Sequence, residues 1–359
     1  MIRCRTFRSA AGITEFFFAG SAAPGAGFRA EAETLLAEYR AALDTAGVAP
    51  GNALLLRFHL SDPVNQYPQL QLLLADCDIP VAVIGQPPAG GSRIALESWL
   101  WSAAPRHYEA RFFQVTETTA GNSYEQTAAE FAALDAEVRA CGGSVPANAQ
   151  RTWLYCRDVD NDYAGLVAAR NDFFNSCGLR ADTHFIASTG IGGESADPAR
   201  RVRMDTLLWF GLADGQVDYL SAPNHLSSTA LYGVAFERGS RIAFGDRSHY
   251  YISGTASIDR DGKVMHPDDV RAQTARMAEN VEVLLESGGA SLAEIRQATV
   301  YLRDGRDAGI VREELFRRGI AEDLPRVMVT GRVCRPAWLV EMEAIAVSPT
   351  GDDRFLPLA

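Results

Sequence analysis

Lysine is almost missing from these 359 residues: the one lysine is Lys263, in the turn-like run Asp261-Gly262-Lys263. Schiff-base chemistry and a lysine-bearing phosphate loop therefore have almost no candidate residue. Basic charge is in deficit as well. Thirty-four basic against forty-five acidic side chains leave −11, so no basic face is expected for nucleic acid or an anionic membrane. A small anionic ligand remains allowed, because it needs only two or three placed arginines. The cysteines (Cys4, Cys77, Cys141, Cys156, Cys177, Cys334) form no C-x-x-C pair and have no nearby histidine pair. Neither a disulfide framework nor a zinc site is expected, and a reducing cytoplasm is the natural compartment. The six histidines show no ligand spacing and no triad arrangement, which argues against metal and serine-hydrolase chemistry. No apolar run approaches membrane-spanning length, and Phe16-Phe17-Phe18 is too short for a signal segment. The expectation is a soluble cytoplasmic protein that needs no metal.

What is present is a large apolar fraction, 47% hydrophobic with 22% charged, in a chain too long for one ordinary domain. The pattern also repeats three times. Amphipathic helices are predicted over 28–46, 124–141 and 267–287, each ending at glycine (Gly47, Gly142, Gly288), the usual left-handed stop. After each comes an apolar strand closing on an acid (54–62, 152–158, 298–304), a second helix (64–77, 163–177, 307–318), and a strand pair. The pairs are 81–85 with 94–101, 184–188 with 202–209, and 327–330 with 339–347. Each copy reads hairpin–helix–strand–helix–strand–strand, an α+β layer with helices covering one face of a mixed sheet. Boundaries are expected at 1–106, 107–215 and 216–359, with approximate threefold symmetry inside one chain.

Shared features of duplicated copies serve packing, so chemistry is sought where one copy departs. Superposed last strands align Glu97, Asp205 and Glu343, and two residues earlier they read Ala95, Arg203 and Glu341. Two residues is one strand period, so the third copy alone carries two carboxylates on one face there. The preceding strand starts align Val81, His184 and Arg326, which makes Arg326 peculiar to the third copy. Arg326 with Glu341 is either an anion-binding and proton-transfer pair or an ordinary surface ion pair. Cys334 is either small apolar filling or an acid–base partner. The run Gly190-Ile191-Gly192-Gly193-Glu194 is read as a strand connection rather than a phosphate cradle, since no helix follows it.

Residues 252–258 (Ile-Ser-Gly-Thr-Ala-Ser-Ile), Gln273, Asn280, Pro325-Arg326 and Val340-Glu341-Met342-Glu343-Ala344 resemble the RidA/YjgF family. In that family the arginine grips a substrate carboxylate between the subunits of a trimer. Three fused RidA/YjgF-like units, Arg151-Thr152-Trp153-Leu154-Tyr155 and the Cys334-Arg335-Pro336 turn are similar to a narrower group, the chorismatases. The resemblance implies a monomer in a pseudo-threefold, chorismate-mutase-like arrangement that takes the dicarboxylate chorismate and releases pyruvate without a cofactor. It implies Glu341 as catalytic acid and Cys334 as the mark of 3-hydroxybenzoate-forming members, the simple hydrolases having a small aliphatic residue there. It also implies Arg326, Arg151, Tyr232, Arg238 and Gly254 as substrate-binding. One departure is a shortened segment ahead of the third copy, Ala230-Leu231-Tyr232-Gly233-Val234-Ala235-Phe236-Glu237-Arg238.

Two carboxylates call for two arginine forks, Arg326 first and Arg151 second, with a solvated arginine at a strand start as the plain alternative for Arg151. Protonating an enol ether calls for a carboxylic acid neutral near pH 7, hence an apolar pocket around Glu341. Glu343, acidic in every copy, reads as structural. Alternatives of other kinds are a hydrolytic chorismatase, a RidA-like imine deaminase and a non-catalytic metabolite-binding protein.

Overall fold

The computed structural model describes all residues except 78, 228 and 230–232. The first sheet grows from a hairpin of β1 (Ile2–Arg8) and β2 (Thr14–Ser21). It continues through α1 (Phe28–Ala46), β3 (Ala53–Leu60), α2 (Pro63–Leu73), β4 (Val81–Gly85) and β5 (Ile94–Trp101), in the order β1-β2-β5-β3-β4. Phe28, Ala32, Leu35, Leu36, Tyr39 and Leu43 recur at helical spacing and bury one face of α1 against this sheet. Gly47, at φ 67°, ends that helix, as the sequence pattern predicts.

The second unit comprises β6 (Glu109–Gln114), α3 (Ser123–Ala140), α4 (Val145–Asn148), β7 (Ala149–Cys156), α5 (Val159–Cys177), β8 (Ala187–Gly192) and β9 (Val202–Phe210), in sheet order β6-β9-β7-β8. It opens on a single strand, not the expected hairpin. Its β8 also begins later than expected and runs through Gly190-Ile191-Gly192, so those glycines are strand residues.

The third unit runs β10 (Val217–Tyr219), β11 (Gly239–Ala243), β12 (Ser248–Ala256), α6 (Val270–Ser287), β13 (Ile295–Leu302), α7 (Ala308–Arg317), β14 (Arg326–Thr330) and β15 (Val340–Ser348), ordered β10-β11-β12-β15-β13-β14. Here α6 starts after Pro267, because the Asp269 side chain accepts from the Ala272 amide and caps it there.

Strand register settles which residues correspond. Arg57 pairs with Glu97, Trp153 with Asp205 and Thr299 with Glu343, so the three acids are equivalent, as are Ala95, Arg203 and Glu341. On the other side, Thr152 faces Ser188 and Ala298 faces Arg326. The counterpart of Arg326 is therefore Ser188 rather than His184, because β8 starts three residues later than expected and sets Ser188 opposite Thr152.

The units touch in cyclic order at these edges, through bridges Gly85–Glu194, Ala187–Glu237 and Pro88–Val329. Aromatic residues of all three units fill the shared interior. Phe17 stacks on Trp99 at 5.3 Å, and Trp209 Nε1 donates to Tyr251 Oη at 3.0 Å. Among the described residues no helix is long and apolar enough to cross a membrane.

Candidate active site

The repeated acids turn inward and tie the units together. Arg57 donates to Glu97 at 2.5 Å and reaches Asp205 of the second unit at 3.3 Å. Thr299 of the third unit donates to Glu97 at 2.9 Å. Glu343 accepts from Arg151 at 2.8 Å and from Trp153 Nε1 at 2.7 Å, both from the second unit. Burial alone would raise the Glu97 carboxyl, but Arg57 and His59 outweigh it and hold it at about 2. Glu343 is thus a member of a buried ionic network.

Glu341, one strand period away, has no such partner among the described residues. It lines a cavity of about 240 Å³ between the second and third units. Only 5% of its surface is exposed. Burial, followed by the charge of Glu343, pushes its carboxyl up to about 8, while Arg238 and Arg151 pull the other way. A carboxyl protonated at neutral pH is a proton donor.

The wall facing Glu341 is backbone. A bulge in β12 between Ile252 and Thr255 displaces Ser253-Gly254 from β15. The Gly254 amide donates to Thr189 Oγ1 at 2.9 Å, and the Ser188 amide donates to Ser253 Oγ at 2.8 Å. A β-carbon on Gly254 would overlap Glu341 Oε1, so the close approach needs glycine.

Cys334 lines the same cavity from the β14–β15 connection. Its Sγ lies 2.8 Å from the Gly190 carbonyl, to which the thiol donates. Burial and then Glu341 push the thiol up to about 12, against the opposing pull of Tyr163 and Arg170. Cys334 is a neutral thiol, not a thiolate. Trp338 closes another side, its Nε1 donating to Ser257 O at 3.1 Å.

The arginines are distributed differently from expectation. Arg238 lines the cavity, stacked over Phe236 at 5.2 Å with two donations to Ser227 O. Arg151 does not line it. Its guanidinium is committed to Glu343, Thr189 Oγ1 and Thr152 O. Arg326 lies outside it too, with Nη1 donating to Ala321 O at 3.0 Å and with Arg3, Arg5 and Arg312 nearby. Burial and those cations lower its pKa to about 10. The reason is register: Tyr301 faces Glu341 on one side and Val329 on the other, whereas Arg326 faces Ala298. Arg326 therefore sits three residues along β14 from the level of Glu341, roughly 10 Å at strand rise. Tyr232 falls outside the described residues.

Arg170, which the threefold pattern of the sequence does not single out, lines the cavity together with Tyr163, both from α5. It is 1% exposed, and its Nε and Nη2 have no hydrogen-bond partner. The signal was available, since Arg170 interrupts the buried stripe Leu166, Ala169 and Phe174, where an arginine is out of place without a ligand or partner.

Against known proteins, residues 240–348 match the family model described as Endoribonuclease L-PSP. A RutC family protein of Pyrococcus abyssi is 35% identical over 97 residues, covering 27% of this chain and 76% of that one. The 3-hydroxybenzoate synthase of Streptomyces hygroscopicus is 27% identical over 223 residues, 55% of this chain. That match spans 63% of the synthase's length, short of two thirds. A crystal structure of a chorismatase superposes with a TM-score of 0.65 at 18% identity, covering 82% of this chain and 93% of the other. At that identity the likeness is one of fold, and it extends across all three units.

Proposed function

We propose that this chain, which belongs to the chorismatase family of the RidA-like superfamily, converts chorismate to pyruvate and 3-hydroxybenzoate. The observation that carries the reading is Glu341, a buried carboxyl raised to about 8 in a cavity that also holds Arg170, Arg238 and Arg335. Of these, Arg170 has no ion-pair partner among the described residues and leaves Nε and Nη2 unpartnered, a setting that favours an anionic ligand.

Glu341 gives its proton to the methylene carbon of the enolpyruvyl ether. The ring C3–O bond of the resulting oxocarbenium ion breaks to release pyruvate, and the ring's C4 hydroxyl oxygen bonds to C3 as it gives up its proton. Opening of that oxygen's bond to C4 with loss of the C3 proton yields 3-hydroxybenzoate, and the protons lost restore Glu341. Cleavage to pyruvate and hydroxybenzoate neither adds nor removes water overall, whereas hydrolysis to a dihydroxycyclohexadiene carboxylate consumes one. Cys334 beside the ring relays a proton as a neutral thiol during aromatisation, which favours the hydroxybenzoate product. The hydrolytic reaction is the second reading, and it would make Cys334 a wall residue only. The site belongs to the third unit with one wall from the second, and a single chain supplies both, which supports the reading of a monomeric enzyme.

Incubation with chorismate, followed by assay of pyruvate and chromatography of the ring product, tests the proposal. Hydroxybenzoate supports it, the diol selects the hydrolytic reading, and absence of pyruvate overturns both.

A further inference from the structure

We infer that Arg170 binds the ring carboxylate of the substrate, so that the ligand lies along the cavity with its ring at Arg170 and Cys334 and its ether at Glu341. The ring's identity rests on the chorismate reading. The anion site does not.

A guanidinium keeps its proton in any protein setting, and a buried charge without a partner is strongly unfavourable. Arg170 is such a charge. It is 1% exposed, with Nε and Nη2 unpartnered, and among the described residues no ion pair includes it. Its neighbours Tyr163 and Cys334 are both neutral groups held far above their ordinary titration range by burial. The α5 helix therefore presents to the cavity a cation that the protein itself leaves incomplete, and a planar carboxylate completes it through two parallel bonds.

The cavity is also polar in the sense of having two ends. Tyr163, on α5 with Arg170, packs against Gly190, whose carbonyl accepts from Cys334, whereas Glu341 packs against Gly254. The enolpyruvyl carbon must lie at Glu341 to be protonated. The ring then falls toward Cys334, with its own carboxylate on Arg170, and the enolpyruvyl carboxylate lies on the Arg238 side. After cleavage, hydroxybenzoate stays on Arg170 while pyruvate departs from the other end.

The test is calorimetric titration of the full chain with benzoate and, separately, with pyruvate, for the wild type, Arg170→Met and Arg170→Gln. The wild type binds benzoate, and both variants bind it more weakly by about tenfold or more, with pyruvate affinity changed by less than about twofold. Unliganded Arg170→Met melts at or above the wild-type temperature, because an unpaired buried charge has been removed; a structural role would lower it. Should Arg170→Met fail to fold, Arg170→Gln is read in the same way. Equal benzoate affinity in wild type and variants, or no benzoate binding by the wild type, overturns the inference. Loss of pyruvate binding instead of benzoate binding overturns the orientation. Arg170-dependent benzoate binding by a protein that releases no pyruvate from chorismate would sink the chorismate reading and leave the anion site standing.

Discussion

Arg151 of the second unit donates to Glu343 of the third at 2.8 Å, and Glu343 stands one strand period from Glu341 on the same face of β15. One unit thereby neutralises a carboxylate next to another unit's acid. The same Arg151 donates to Thr189, which accepts from the Gly254 amide lying against Glu341. The acid's surroundings are built across a boundary between units, which a separate third unit could not reproduce.

Glu341→Gln keeps the shape of the side chain and removes its proton. Pyruvate release from chorismate should fall by about a hundredfold or more in initial-rate assays, with the circular dichroism spectrum unchanged.

Catalysis needs Glu341 protonated, so the rate should fall as pH rises through about 8. Glu343→Gln removes the charge that raises Glu341, and the basic limb of the profile should move to lower pH. The stability of the fold has the same sign. Glu341 keeps its proton in the folded chain and loses it in the unfolded one between its ordinary 4.5 and about 8, so stability present at acid pH is lost as pH rises through that window. In Glu341→Gln this part of the decline in melting temperature with pH should disappear.

Gly254→Ala puts a methyl group onto the Glu341 carboxylate. Displacing a proton donor by about 1 Å costs on the order of a hundredfold in rate. Steady-state kinetics should show the loss mainly in kcat.

Arg151→Met removes the ion-pair partner of the buried Glu343 and leaves it the Trp153 Nε1 hydrogen bond, which should destabilise the fold by about 3 kcal/mol in denaturant titration. The double variant Arg151→Met/Glu343→Gln should recover most of that loss. Equal stability of the single and double variants would refute the pairing.

Much of this site was legible in the sequence because strand alternation is a strict code. Glu341 and Glu343 share a face by count alone, and the threefold recurrence of Glu97, Asp205 and Glu343 marks that acid as structural before any contact is known. Arg326 shows the limit. Its separation from Glu341 along the chain matches the family, but β14 pairs it opposite Ala298, away from the cavity, and sheet register is a tertiary property. Arg151, expected as a second substrate fork, is consumed by Glu343 of the third unit. Arg170 is not legible in this way, because in the apolar stripe of a helix one arginine looks like an interruption rather than a ligand-binding group.

The most direct measurement follows wild type and Cys334→Ala with chorismate, quantifying pyruvate and resolving the ring product by chromatography. The account predicts pyruvate with 3-hydroxybenzoate from the wild type, and a loss of aromatic product relative to pyruvate in the variant. A non-aromatic diol from the wild type would contradict the role of Cys334, and no pyruvate at all would contradict the function proposed for the Glu341 cavity.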